Sequence, residues 1–186
     1  GGFTYYTYNN EAETIKGYAD LEKGLVEKMK ITAGWLKNKQ TQSGKPLTVA
    51  ATTIGAVSYY SEVTLIDMLG LTDKEVAHNP KPIPEISSKD VGWRERNYNV
   101  EYIMSRKPDY IYFSTGIKPS AYAERGLFTS DTFMKYYYPY YFSIKEAGFT
   151  DIMYKRKTDE EVTQIKQVQP KKKKKKSFVN LYNQAM

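Results

Sequence analysis

Three short apolar runs alternate with stretches of helical spacing, and that alternation constrains the fold more than any other feature of the chain. Residues 46–51 (Pro-Leu-Thr-Val-Ala-Ala), 63–67 (Val-Thr-Leu-Ile-Asp) and 110–114 (Tyr-Ile-Tyr-Phe-Ser) are rich in β-branched and aromatic side chains and read as strands. Ahead of them, Ile15, Tyr18, Leu21, Leu25, Met29, Ala33 and Leu36 recur at steps of three and four, an apolar stripe along one long helix. Asn10 with Glu13 three residues on supplies a capping-box start, and the polar run 40–45 with Gly44 supplies the end. Residues 3–9 are β-prone but isolated. Residues 52–60 read as a short helix capped by Thr52 or Thr53. Another helix opens with Thr72 as cap and Glu75 three residues later, and Asn79-Pro80 stops it. Residues 97–106 form a helix with Val100, Ile103 and Met104 facing inward. Loop with some helix follows over 116–135, then an unusually aromatic run over 136–142. The final strand, 149–156, alternates Ile152 and Tyr154 inward against Met153 and Lys155 outward, or the reverse. Such alternation predicts an α/β fold: a mostly parallel or mixed sheet of about four or five strands flanked by helices.

The chain has 186 residues, enough for one domain with a substantial core. We expect a single α/β domain over 1–169 and a flexible lysine-rich tail over 170–186. The charge supports that division. The balance of 28 basic against 21 acidic residues is +7, and it falls to +1 without the six lysines of 171–176. A nearly neutral body argues against a nucleic-acid partner, because such binders carry basic charge on a folded face. With no cysteine there is neither a disulfide framework nor a thiolate metal site, and with one histidine, His78, no multi-histidine metal site. No metal or cofactor is expected. No stretch reaches the ~20 apolar residues of a membrane span. The opening Gly1-Gly2-Phe3 reads as the boundary of a fragment from a longer chain.

Candidate functional residues cluster in three places. Asp67 ends a strand expected to be central, where ligands gather in open α/β sheets; it is either an acceptor for a sugar hydroxyl or a turn residue before Gly70. Asp73 opens a helix, where a carboxylate suits the helix dipole. Residues 92–96, Gly-Trp-Arg-Glu-Arg, concentrate groups favoured at binding hot spots. Trp93 stacks on a sugar ring or covers a sheet edge, and Glu95 pairs with an arginine or a ligand. The tyrosines of 136–141 suit either a platform or a half-buried strand.

Two segments carry a family resemblance. Residues 53–61, Thr-Ile-Gly-Ala-Val-Ser-Tyr-Tyr-Ser, and 65–77, Leu-Ile-Asp-Met-Leu-Gly-Leu-Thr-Asp-Lys-Glu-Val-Ala, are followed by Arg106-Lys107-Pro108-Asp109-Tyr110-Ile111. Together they resemble the soluble C-terminal extracytoplasmic domain of polytopic bacterial membrane glycosyltransferases, the mannosyl- and arabinosyltransferase-like enzymes that use polyprenyl-phosphate sugars. The likeness runs over about residues 46–114. Where that family has a Gly-His-Glu-Lys loop, this chain has Gly92-Trp93-Arg94-Glu95, so tryptophan replaces the histidine.

The resemblance implies a bacterial membrane-anchored protein whose domain faces the periplasm or cell exterior, joined to the membrane through an N-terminal transmembrane region outside this sequence. It implies an accessory domain that binds or positions a saccharide or glycolipid acceptor and is not itself catalytic. The ligand-contacting set expected on this basis is Asp67, Asp73, Trp93, Arg94, Glu95, Tyr59 and Tyr60. Two other classes remain open. One is a free-standing α/β hydrolase-like enzyme that uses Asp67 or Asp73 with His78. The other is an anionic-surface or nucleic-acid binder acting through the lysine tail.

Overall fold

A computed structural model describes residues 2–82, 98–113, 116, 118–145 and 148–168. A first unit ends at Arg156 and a second begins at Lys157. The first holds helix α1 (Gly2–Ser43), strand β1 (Thr48–Ala51), α2 (Gly55–Ser61), β2 (Thr64–Asp67), α3 (Lys74–His78), α4 (Val100–Ser105), β3 (Tyr110–Tyr112), α5 (Tyr122–Leu127), α6 (Asp131–Tyr136), β4 (Tyr137–Ile144) and β5 (Phe149–Arg156); the described part of the second is α7 (Asp159–Val168). The five strands form one mixed sheet in the order β2-β1-β3-β5-β4, as the α/β reading expects. β1 runs parallel to β2 and to β3, while β5 is antiparallel to β3 and to β4.

The chain steps from β1 to β2 in one direction, then returns over β1 to place β3 on the other side. Crossovers between parallel strands are right-handed, so a reversal of direction moves the connecting helix to the opposite face. One face accordingly packs Met29 and Leu36 of α1 and Val57 of α2 against Val49, Ala51, Tyr110, Tyr112, Phe142 and Met153. The other packs Ile103, Leu127 and Phe133, from α4, α5 and α6, against Ala50, Ile66, Ile111 and Tyr154. With both faces covered, β1 and β3 are buried almost continuously rather than alternately. The same cause corrects the alternation expected in β5: Met153 and Tyr154 are both buried, on opposite faces.

Two polar ties fix the layers. Thr48 N–H donates to the Asp109 carboxylate at 2.8 Å while Asp109 N–H donates to the Thr48 carbonyl at 2.8 Å, closing β3 onto β1. On the α1 face, Asp151 Oδ2 accepts from Tyr112 Oη at 3.1 Å and lies 3.3 Å from Lys28 Nζ. Burial, and then the Asp151 charge, hold the Tyr112 phenol well above its ordinary range. On the opposite face the Tyr98 ring lies where a Cβ on residue 126 would stand, 1.7 Å from Cε2, so only glycine fits there; Tyr98 Oη also donates to the Gly126 carbonyl at 3.0 Å.

Several local expectations shift. Residues 3–9 are helical, and α1 begins at Gly2 instead of at an Asn10 cap. A lone β-prone segment has no ladder to join, whereas a helix satisfies its own backbone and extends cheaply once begun. In the apolar stripe, Met29, Ala33 and Leu36 are buried but Leu25 is exposed; the side chains of Ile15, Tyr18 and Leu21 lie outside the described residues. The α3 cap falls on Asp73, one residue after Thr72. The aromatic run of 136–142 closes α6 with Tyr136 and then forms β4, the half-buried strand of the two readings, which pairs along its whole length with β5. Helix α7 was not anticipated, although Thr158 and Glu161 make a reciprocal capping box: Thr158 N–H donates to Glu161 Oε2 at 2.7 Å and Glu161 N–H to Thr158 Oγ1 at 3.2 Å. The lysine run 171–176 lies outside the described residues.

Candidate functional site

The reversal between β1 and β3 creates a switch point at the carboxyl ends of the parallel strands, the usual ligand crevice of an open α/β sheet. The acidic groups nearby are occupied locally. Asp67 is buried at the end of β2; its Oδ1 accepts from Leu69 N–H at 3.0 Å, and its Oδ2 from Thr72 N–H at 2.7 Å and Thr72 Oγ1 at 3.3 Å. Asp73 Oδ1 accepts from the N–H groups of Glu75 and Val76, and its Oδ2 from Tyr102 Oη at 3.1 Å. Tyr102 in turn accepts from Arg106 Nη1 at 2.8 Å. Burial, followed by the Asp73 charge, raises the Tyr102 phenol above its ordinary value. Both aspartates therefore shape the 67–76 turn. Sequence reading overlooked Glu124. It is fully buried, accepts from Thr52 Oγ1 at one oxygen, and accepts at the other from Ser120 N–H (2.7 Å), Ser120 Oγ (3.2 Å) and Ala121 N–H (3.1 Å).

The other expected residues are dispersed. Tyr59 and Tyr60 project from α2, 80% and 41% exposed, with ring centres 4.9 Å apart edge to face. Lys30 Nζ stands 5.5 Å from the centre of the Tyr60 ring. His78 is exposed in the last turn of α3. Trp93, Arg94 and Glu95 lie outside the described residues. Among the described residues no group of three acidic or histidine side chains could hold a metal ion, and no helix is long and apolar enough to cross a membrane.

A different constellation comes together between α1 and the end of β4. A groove of about 390 Å³ is lined by Lys30, Trp35, Asn38, Lys39 and Gln42 of α1 and by Ser143 of β4, among others. Trp35 forms its aromatic wall. The indole is supported by Phe142 at 4.4 Å, Tyr110 at 5.6 Å and Tyr140 at 6.0 Å between ring centres, and Lys39 Nζ lies 5.5 Å from the indole. Gly34 also lines the groove. A Cβ there would meet no atom within 4 Å, so packing does not require the glycine. Its cost within a helix is about 1 kcal/mol relative to alanine. Space in the groove is what the missing side chain leaves. A sequence signal was present: Trp35, Asn38, Lys39 and Gln42 follow at three- and four-residue steps and so share one side of the helix.

Residues 19–167 match the model of a protein family described as a domain of unknown function, DUF8728. The chain belongs to this family. No curated protein and no solved structure matches it. The DUF8728 match takes in the whole groove-lining part of α1, all five strands and nearly all of α7.

Proposed function

We propose that this DUF8728 chain is a saccharide-binding module, the accessory extracytoplasmic part of a membrane-bound glycosyltransferase-like protein, and that it holds an acceptor glycan rather than performing transfer. The observation that carries the reading is the Trp35 wall beside Gly34, framed by the amides of Asn38 and Gln42 and the hydroxyl of Ser143. Pyranose rings present an apolar C–H face and a rim of hydroxyls. An aromatic wall takes the face, and short amide and hydroxyl side chains take the rim, the division of labour seen in small-ligand pockets generally. The resemblance of residues 46–114 to glycosyltransferase extracytoplasmic domains supports the same class and supplies the membrane-anchored setting. The rival hydrolase reading needs Asp67 or Asp73 free to act with His78, and both carboxylates are engaged by the turn they hold.

The test uses Trp35 itself. The chain has two tryptophans, so a Trp93→Phe background leaves Trp35 as the reporter. Titration with neutral and acidic oligosaccharides should give a saturable change in its emission. Gly34→Gln, which fills the groove from an exposed helix position, should abolish that change and leave the protein folded. No response from the folded protein to any glycan of the panel would overturn the proposal.

A further inference from the structure

The groove carries an imbalance of charge. Among the described residues Lys30 and Lys39 line it, and no acidic side chain does. The two lysines are not equivalent. The Lys30 ammonium is 3.2 Å from Glu27 Oε1, one turn away on the same helix, and that hydrogen bond raises its pKa above the ordinary lysine value. Among the described residues Lys39 has no carboxylate partner. Its Nζ donates to Gln42 Oε1 at 3.3 Å and lies 5.5 Å from the centre of the Trp35 ring. Gln42 Nε2 and the Asn38 amide belong to the same side of α1. The groove thus presents, among the described residues, one positive charge without a carboxylate partner, held over its aromatic wall, with amide groups beside it.

We infer that the groove selects an acidic sugar, a pyranose carrying a ring carboxylate of the uronic acid class, with Lys39 as the residue that reads the carboxylate. The inference rests on the saccharide reading of this groove and narrows it. A hexuronate laid against Trp35 would bring its exocyclic carboxylate within reach of the ammonium that stands over the same indole. A charge-assisted hydrogen bond from ammonium to carboxylate is about twice as strong as a neutral one. One available lysine matches a monoanion. A phosphate dianion would call on both lysines, and Lys30 would have to leave its pair with Glu27.

Calorimetric titration of the full chain with an oligogalacturonate, the matching neutral galactose oligomer and galactose 6-phosphate tests it. The oligogalacturonate should bind about tenfold more tightly than the neutral oligomer, the size of one hydrogen bond to a charged group. Lys39→Gln should remove that preference, so that the variant binds the acidic and neutral oligomers equally, and Lys39→Arg should restore it. Added salt should narrow the gap. Equal affinity for acidic and neutral oligomers would overturn the inference and leave the saccharide reading standing. An unaltered preference in Lys39→Gln, or tighter binding of the sugar phosphate, would overturn it as well. Binding of none of the three by folded protein would overturn both readings together.

Discussion

Glu124 has no exposed surface, yet its carboxylate accepts four hydrogen bonds that join the end of β1 to the start of α5. Glu124→Gln keeps the shape but turns one acceptor oxygen into a donor that faces donors. The expected loss is about 1–3 kcal/mol, the cost of leaving buried polar groups unpaired. It should appear in urea titrations as a lower midpoint with an unchanged slope. Tyr110 sets a different, pH-dependent limit. Burial first, and then nearby Tyr140 and Asp109, push its phenol from 10.0 up to about 12. In the unfolded chain it ionises at its ordinary value, so between the two the native state holds the extra proton. The stability linked to Tyr110 is intact below pH 10 and declines as pH rises toward 12. Tyr112, Tyr137 and Tyr154 are shifted upward as well, chiefly by burial. Unfolding free energy measured against pH should therefore fall over the range in which tyrosinate absorbance appears.

At the scale of elements, β2 and β4 are the outer strands and offer unpaired backbone to other chains. β2 is only four residues long. β4 is eight residues long and carries an exposed Pro139 in its first half. Edge strands tolerate proline, and proline discourages further pairing. Pro139→Thr should raise concentration-dependent self-association, read by sedimentation or light scattering. β4 is the half-buried strand that the tyrosines of 136–141 suited. Residue type alone left platform and strand both open there, and pairing with β5 decides for the strand. The three buried strands of the parallel half were legible because short β-branched runs between helices have few other uses. The candidate site was much less so. Asp67 and Asp73 stood where ligand-binding carboxylates often stand, but their partners are the N–H groups of the next few residues, a matter of turn geometry that residue type alone does not disclose. Trp35 was hidden inside a helix whose apolar stripe drew attention to Met29, Ala33 and Leu36. Its importance depends on β4, more than a hundred residues further along.

For the whole molecule, the sheet joins two halves of different connectivity, and that difference is also one of time. β4 and β5 are consecutive strands joined by residues 145–148, with Gly148 in the left-handed conformation that a tight reversal needs. Such hairpins close in about 1–10 μs. The parallel half cannot assemble so locally. Its tie from Thr48 to Asp109 spans 61 residues, and long-range pairing of this kind is slow because the chain entropy is lost before the contacts form. Trp35 must then find Phe142 from the far end of the sequence. Refolding should therefore protect the β4–β5 amides early, in pulsed hydrogen exchange, and bring the native Trp35 emission late. On that schedule the outer strand waits with half of a ligand surface already built, and α1 completes the groove as one of the last events of folding.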